Sequence, residues 1–140
     1  MLYKTIAMAL MFCCFGIMMI ANFKPYAQSY GYSDSYLTII ATIGSIMNGL
    51  SRLLWGTLNE HLTFKQILYI NLGIQIVVSA TMGFAVQYSF LFFIWMICVY
   101  LTYGGWYAVL PAVVARIFGS RVGTSVYGIT FTGFTLAGWT

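Results

Sequence analysis

The chain has 140 residues, 61% of them hydrophobic and 6% charged, with a formal net charge of +4. A soluble domain carries about a quarter charged residues, whereas uncharged runs of the length seen here match what a bilayer requires, so a soluble globular domain is excluded. The basic residues are scattered along the chain rather than clustered, which removes a nucleic-acid surface as well.

The first predicted element is the uncharged run Thr5 to Phe23, long enough to cross a bilayer as a helix and ending at Lys24-Pro25. No small-residue cleavage site follows it and further spans do, so it reads as a span rather than as a signal peptide. Asn22 to Asp34 carries Pro, Gly and polar residues and reads as an exposed loop, with Ser33 or Asp34 placed to cap the next helix. That second span runs from Ser35 to about Thr57. Between Lys65 and Arg116 there is no charge, which leaves room for two spans, about 66–85 and 90–117, joined at the weakly polar Val86-Gln87-Tyr88-Ser89. After a turn at Phe118-Gly119-Ser120-Arg121, residues 122–140 form a fifth span. The expectation is an all-α membrane protein, a single transmembrane domain over 1–140 with spans at about 5–23, 35–57, 66–85, 90–117 and 122–140.

This partition places Lys4, Arg52, Lys65, Arg116 and Arg121 on one side of the membrane and Lys24 on the other. Positive charge near span ends stays on the side that is not translocated. The N-terminus is therefore expected on the cytosolic or matrix side of a plasma membrane or a mitochondrial inner membrane. Cys13, Cys14 and Cys98 lie in apolar runs without CxxC spacing or a neighbouring His, so they read as packing residues and no metal is expected. No cofactor is expected either. With no nucleophile–base pair and no phosphate loop, the sequence does not point to an enzyme.

Charge gathers at one place. Arg52, Glu60, His61 and Lys65 fall within 48–66, and Arg52 comes before the expected end of its span. A charge inside a span costs about 2.5 to 3.5 kcal/mol and usually faces a protein interior or a watery cavity. By itself Arg52 could snorkel to the headgroups. It belongs, however, to a stripe: Thr38, Thr42, Ser45, Asn48 and Arg52 recur at spacings of four, three, three and four, down one face of a helix. Ser, Thr and Asn also serve as interhelical glue, but glue needs no fixed cation, whereas an anion-binding cavity does. Span four offers a second lining in Met96, Tyr100, Tyr103 and Tyr107, with packing or an interfacial belt as the alternative for such a stripe. Gly104-Gly105 and Pro111 add a flexible or kinked region. In span five, Ser120, Thr124 and Gly128 at intervals of four read as a close-packing face, beside Tyr127, Phe131 and Phe134.

The segment from Gly56 to Lys65 resembles the loop motif of the major facilitator superfamily, G-x-x-x-D-R/K-x-G-x-R/K, which joins helices two and three of each six-helix half. Gly56, Glu60 and Lys65 match; His61 stands where Arg or Lys is usual, and Thr63 replaces the glycine. The run from Gly104 to Gly128 is similar to helices ten and eleven of the oxalate/formate antiporter and monocarboxylate porter branch, and Asn48-x-x-x-Arg52 resembles helix eight there, where an arginine is implicated in binding a carboxylate. The resemblance implies helices seven to eleven of a twelve-helix fold, a partial six-helix half that alternates access only with a partner half. It implies that Arg52 binds the carboxylate; with the two stripes, the expectation is that Asn48 and Ser45 orient it and Tyr103 and Tyr107 close the pocket. Gating would fall to Gly56, Glu60, His61 and Lys65, with Glu60 pairing with Arg116 or Arg121 in one state. Asn48 stands where monocarboxylate porters often have Asp, a departure that bears on proton coupling through that pair. Oxalate carriers of the family carry a second cation in helix eleven and span five has none after Arg121, so a single arginine suits a small monocarboxylate better than a dianion. The alternative reading is a transport-inactive, transporter-derived subunit of a larger membrane complex, such as a mitochondrial inner-membrane assembly, in which Arg52 meets a neighbouring subunit or a membrane lipid phosphate.

Overall fold

A computed structural model describes residues 16–137. Lys4, Cys13, Cys14 and the beginning of the first expected span lie outside the described residues, as do the side chains of Ser120, Arg121, Thr124, Phe131 and Phe134. The described chain is helical with short connections, without strands among the described residues. Helix α1 is described over 16–28, α2 spans Asp34–His61 and α3 spans Phe64–Ala85. A helical run Ser89–Ala137 follows, divided at Gly119, where φ 78 and ψ 159 leave the helical region. We label its two parts α4 (89–118) and α5 (120–137). The left-handed φ at Gly119 is one that glycine adopts without a Cβ penalty, so the α4–α5 turn rests on that residue.

Two helix ends differ from expectation. The first helix does not stop at Lys24-Pro25 but continues to residue 28, with the Ser29 N–H bonded to the Pro25 carbonyl at 3.2 Å. Proline removes a single rung of the ladder, and the turns that follow close without it. Helix α2 likewise runs past Thr57 to His61. At its start Ser33 is the cap, its hydroxyl accepting from the Tyr36 N–H at 3.4 Å. Helix α3 begins at Thr63, whose N–H and hydroxyl both donate to the Gln66 side chain at 2.9 and 2.8 Å.

Packing centres on the 89–137 run, which lies chiefly along α2 and secondarily along α3. One apolar cluster sits where the 29–33 and 86–88 connections meet, built from Phe23, Leu37, Ile40, Met82, Phe92 and Met96. Tyr32 and Tyr36 tie these connections together by donating to the Val86 and Ser89 carbonyls at 2.8 and 2.5 Å. A second cluster, Trp55, Ile67, Val109 and Val113 with Leu58 and Leu62 against it, closes the opposite end. Between them α2 and α4 touch almost backbone to backbone. A Cβ on Gly104 would strike Ser51 Oγ and the Asn48 carbonyl, and one on Gly44 would strike the Tyr100 ring. Small residues at such a crossing let helices approach where apolar burial alone gives little drive. Among the described residues three helices, Asp34–His61, Phe64–Ala85 and Ser89–Gly119, are long and apolar enough to cross a membrane. The protein is an all-α membrane-type bundle of five helices.

Candidate functional site

The length of α2 sets the depth of Arg52. Twenty-eight helical residues reach about 42 Å at 1.5 Å per residue, beyond the ~30 Å hydrocarbon core. Asn48 falls near the middle of the helix and Arg52 about one turn beyond it. Because the helix continues to His61, Arg52 stands about a turn further from the helix end than a helix ending near Thr57 would place it. Its side chain turns to α4, with the guanidinium carbon 5.3 Å from the centroid of the Tyr107 ring. The Tyr107 hydroxyl in turn meets the Tyr103 hydroxyl at 2.5 Å, their rings edge to face. Both tyrosines are half-buried, while Arg52 remains exposed.

The magnitudes decide what this arrangement lacks. A cation over an aromatic face gains about 0.5 to 2 kcal/mol, less than the roughly 2.5 to 3.5 kcal/mol needed to place Arg in a span. Tyr107 therefore orients the guanidinium but does not replace its hydration, and water or an anion is needed to balance the charge.

The other residues of the stripe are placed differently. Asn48 sits half-buried at the Gly104 crossing, its Oδ1 buried without a hydrogen-bond partner. Ser45 is exposed and spends its hydroxyl proton on the Ala41 carbonyl at 2.8 Å; Thr42 does the same to the Thr38 carbonyl at 2.9 Å. For Ser45 to orient a carboxylate its hydroxyl would have to rotate off its own helix, so in this conformation it presents acceptor lone pairs. The structure thus brings Arg52, Tyr107 and Tyr103 together, sets Asn48 beside them at the crossing, and leaves Ser45 engaged with its own backbone.

A second polar layer was not anticipated from the sequence. The Asn71 amide donates to the Thr102 carbonyl at 3.1 Å, and Gln75 donates to Asn71 Oδ1 at 3.2 Å, all three residues being buried. Asn71 and Gln75 are four apart in an uncharged span, the same spacing signal that marks the stripe on α2. This layer clamps α3 to the turn of α4 that carries Tyr103. Among the described residues no group of His, Cys, Asp or Glu could hold a metal ion.

The chain is 31% identical over 114 residues to an oxalate:formate antiporter of Oxalobacter formigenes, a match that covers 81% of this chain and 27% of that protein. It is also 31% identical over 123 residues to the uncharacterised MFS-type transporter YhjX of Escherichia coli, covering 87% of this chain and 31% of that one. It therefore spans about a third or less of the length of these curated relatives. No family model and no solved structure matches it. The chain is a segment of the major facilitator superfamily. In this major facilitator segment the loop motif is mostly helix: Gly56, Glu60 and His61 lie in the last turns of α2, and Lys65 in the first turn of α3. Thr63, in place of the motif glycine, has φ −72 and ψ 150, an extended conformation open to any residue. Glu60, His61 and Lys65 are exposed. Nothing stands within 4 Å of a Cβ built on Gly56. Arg116 reaches from α4 to the Asn59 carbonyl at 3.2 Å, favourable for a cation at a helix C-terminus. It does not pair with Glu60 here; among the described residues the one ion pair is Lys24 with Asp34. The Arg121 side chain lies outside the described residues.

Proposed function

We propose that this segment is the part resembling helices seven to eleven of a secondary transporter for small organic anions of monocarboxylate type, working by alternating access with a partner half. The observation that carries this reading is the Arg52 guanidinium held over the Tyr107 ring, on a face of α2 that the bundle leaves exposed. A fixed cation there favours an anion, and the tyrosine rings can pack on the apolar part of a carboxylate. The antiporter relative names oxalate and formate as its substrates; one guanidinium matches a single carboxylate, which favours the monoanion. In this reading the 62–63 end acts as a latch, and Arg116 on the Asn59 carbonyl, with Glu60 exposed, is consistent with its open state.

The test is carboxylate uptake by the full-length protein bearing Arg52→Ala and Arg52→Lys. Losing the counter-charge is expected to weaken uptake about 30-fold or more. The lysine variant is expected to recover part of it, since charge is kept while the planar stack on Tyr107 is lost. Unchanged uptake with Arg52→Ala would remove Arg52 as the counter-charge, and no uptake by the wild type would favour the transport-inactive structural subunit.

A further inference from the structure

At the other end of the same polar stripe the structure holds a carboxylate already. Lys24 Nζ, from the last turn of α1, lies 3.2 Å from Asp34 Oδ1 and donates to Thr38 Oγ1 at 3.0 Å. Thr38 is the first residue of the stripe that ends at Arg52, so the two cations stand at its two ends. Fourteen helical residues separate Thr38 from Arg52, about 21 Å at 1.5 Å per residue. No small carboxylate bridges that distance, and any contact with both cations is successive.

From this we infer that Lys24 and Thr38 form an outer carboxylate site, the first stop for an anion on its way to Arg52, and that Asp34 occupies it as an intramolecular competitor until the anion displaces it. The chemistry of recognition is visible in the pair itself, because Asp34 presents the group a monocarboxylate would present. The site is accessible: the Lys24 side chain is 37% exposed and that of Asp34 69%. An exposed ion pair of this kind holds weakly and exchanges readily. Lys24 is also the one basic residue expected on its side of the membrane, so an approaching anion meets no competing cation of this segment there. The inference rests on the reading of Arg52 as the inner counter-charge.

The alternative is a staple that merely holds the α1–α2 connection, and the two predict different signs. A staple is broken equally by Lys24→Gln and by Asp34→Asn, so both variants would shift transport the same way. An outer site loses its cation in the first and is relieved of its competitor in the second. The experiment is formate uptake by cells producing the full-length protein, with half-saturating concentration and limiting rate measured for both variants. Lys24→Gln is expected to raise the half-saturating concentration about tenfold, the low end of what a steering charge contributes. Asp34→Asn is expected to lower it roughly two- to fivefold, as releasing an exposed ion pair allows. Limiting rates should change little. If Lys24→Gln fails to reach the membrane, Asp34→Asn alone decides. Opposite shifts uphold the outer site; shifts of the same sign, or no shift in Asp34→Asn, overturn it. Arg52→Ala run alongside separates the two readings. If it abolishes uptake while Lys24→Gln and Asp34→Asn do not move apart, only the outer site falls; if it leaves uptake intact, the anion path falls with it.

Discussion

Arg52 is held by an aromatic face rather than by a carboxylate, and that choice leaves its charge available. With Tyr107 at 5.3 Å and the Tyr103–Tyr107 hydroxyl contact behind it, ring and hydroxyl have separable roles, and two substitutions tell them apart. Tyr107→Leu removes the ring, about 0.5 to 2 kcal/mol of cation–π attraction, and is expected to raise the half-saturating carboxylate concentration two- to thirtyfold. Tyr107→Phe keeps the ring and loses the hydroxyl, so its effect on half-saturation should be smaller. Equal effects would mean that the hydroxyl pair, not the stack, orients the guanidinium. The stripe on α2 was legible because four spacings of three or four coincide on a helix bearing a charge. What spacing could not convey is where each hydroxyl proton goes: Ser45 and Asn48 share a face in projection, yet one bonds its own helix and the other presses into the Gly104 crossing.

For the helices, the decisive feature is how closely α2 and α4 approach. Gly104→Ala would drive a methyl into Ser51 and the Asn48 backbone, and such overpacking costs about 1 to 3 kcal/mol. Gly73→Ala meets nothing within 4 Å, and replacing a mid-helix glycine there should gain about 0.5 to 1 kcal/mol. Thermal unfolding of the two variants in mild detergent is therefore expected to move in opposite directions, and a Gly104→Ala protein as stable as the wild type would show that the crossing is looser than described. Five helices were readable from uncharged length alone, and their turns from the few polar or glycine-bearing stretches. The ends were harder. Pro25 looks like a terminator because it lacks an N–H, but one missing rung does not end a helix whose next turn still closes. The Asn71–Gln75–Thr102 layer escaped for a different reason: its spacing signal is a single interval of four, and two uncharged amides stand out less than one arginine.

At the scale of the molecule, the helices form hairpins with two distinct ends. The 29–33 and 86–88 connections share one end, bound by Tyr32 and Tyr36. The 62–63 connection and the turn at Gly119 share the other, where Arg116 reaches Asn59. Apolar clusters fill both ends while polar groups lie between them, so a face carrying Thr38, Thr42, Ser45 and Arg52 is left open along the length of α2. A partner half covering that face would turn the stripe into the wall of a cavity, with Lys24 at one mouth and Arg52 towards the other. The bias of basic residues gives the expected orientation, with the 62–63 end, which carries Lys65 and Arg116, on the inner side and the Lys24 end on the outer. Single cysteines in a full-length protein whose Cys13, Cys14 and Cys98 are replaced by Ala can read this directly. With an impermeant maleimide, Ser29→Cys and Gln87→Cys, both at exposed positions, are expected to react in intact cells, and Lys65→Cys only after permeabilisation. The reverse pattern would keep the hairpins and invert the orientation, moving the outer carboxylate site to the inner face. Reaction of Lys65→Cys and Gln87→Cys from the same side would break the hairpin order itself, because α3 joins those two ends and would then not cross the membrane.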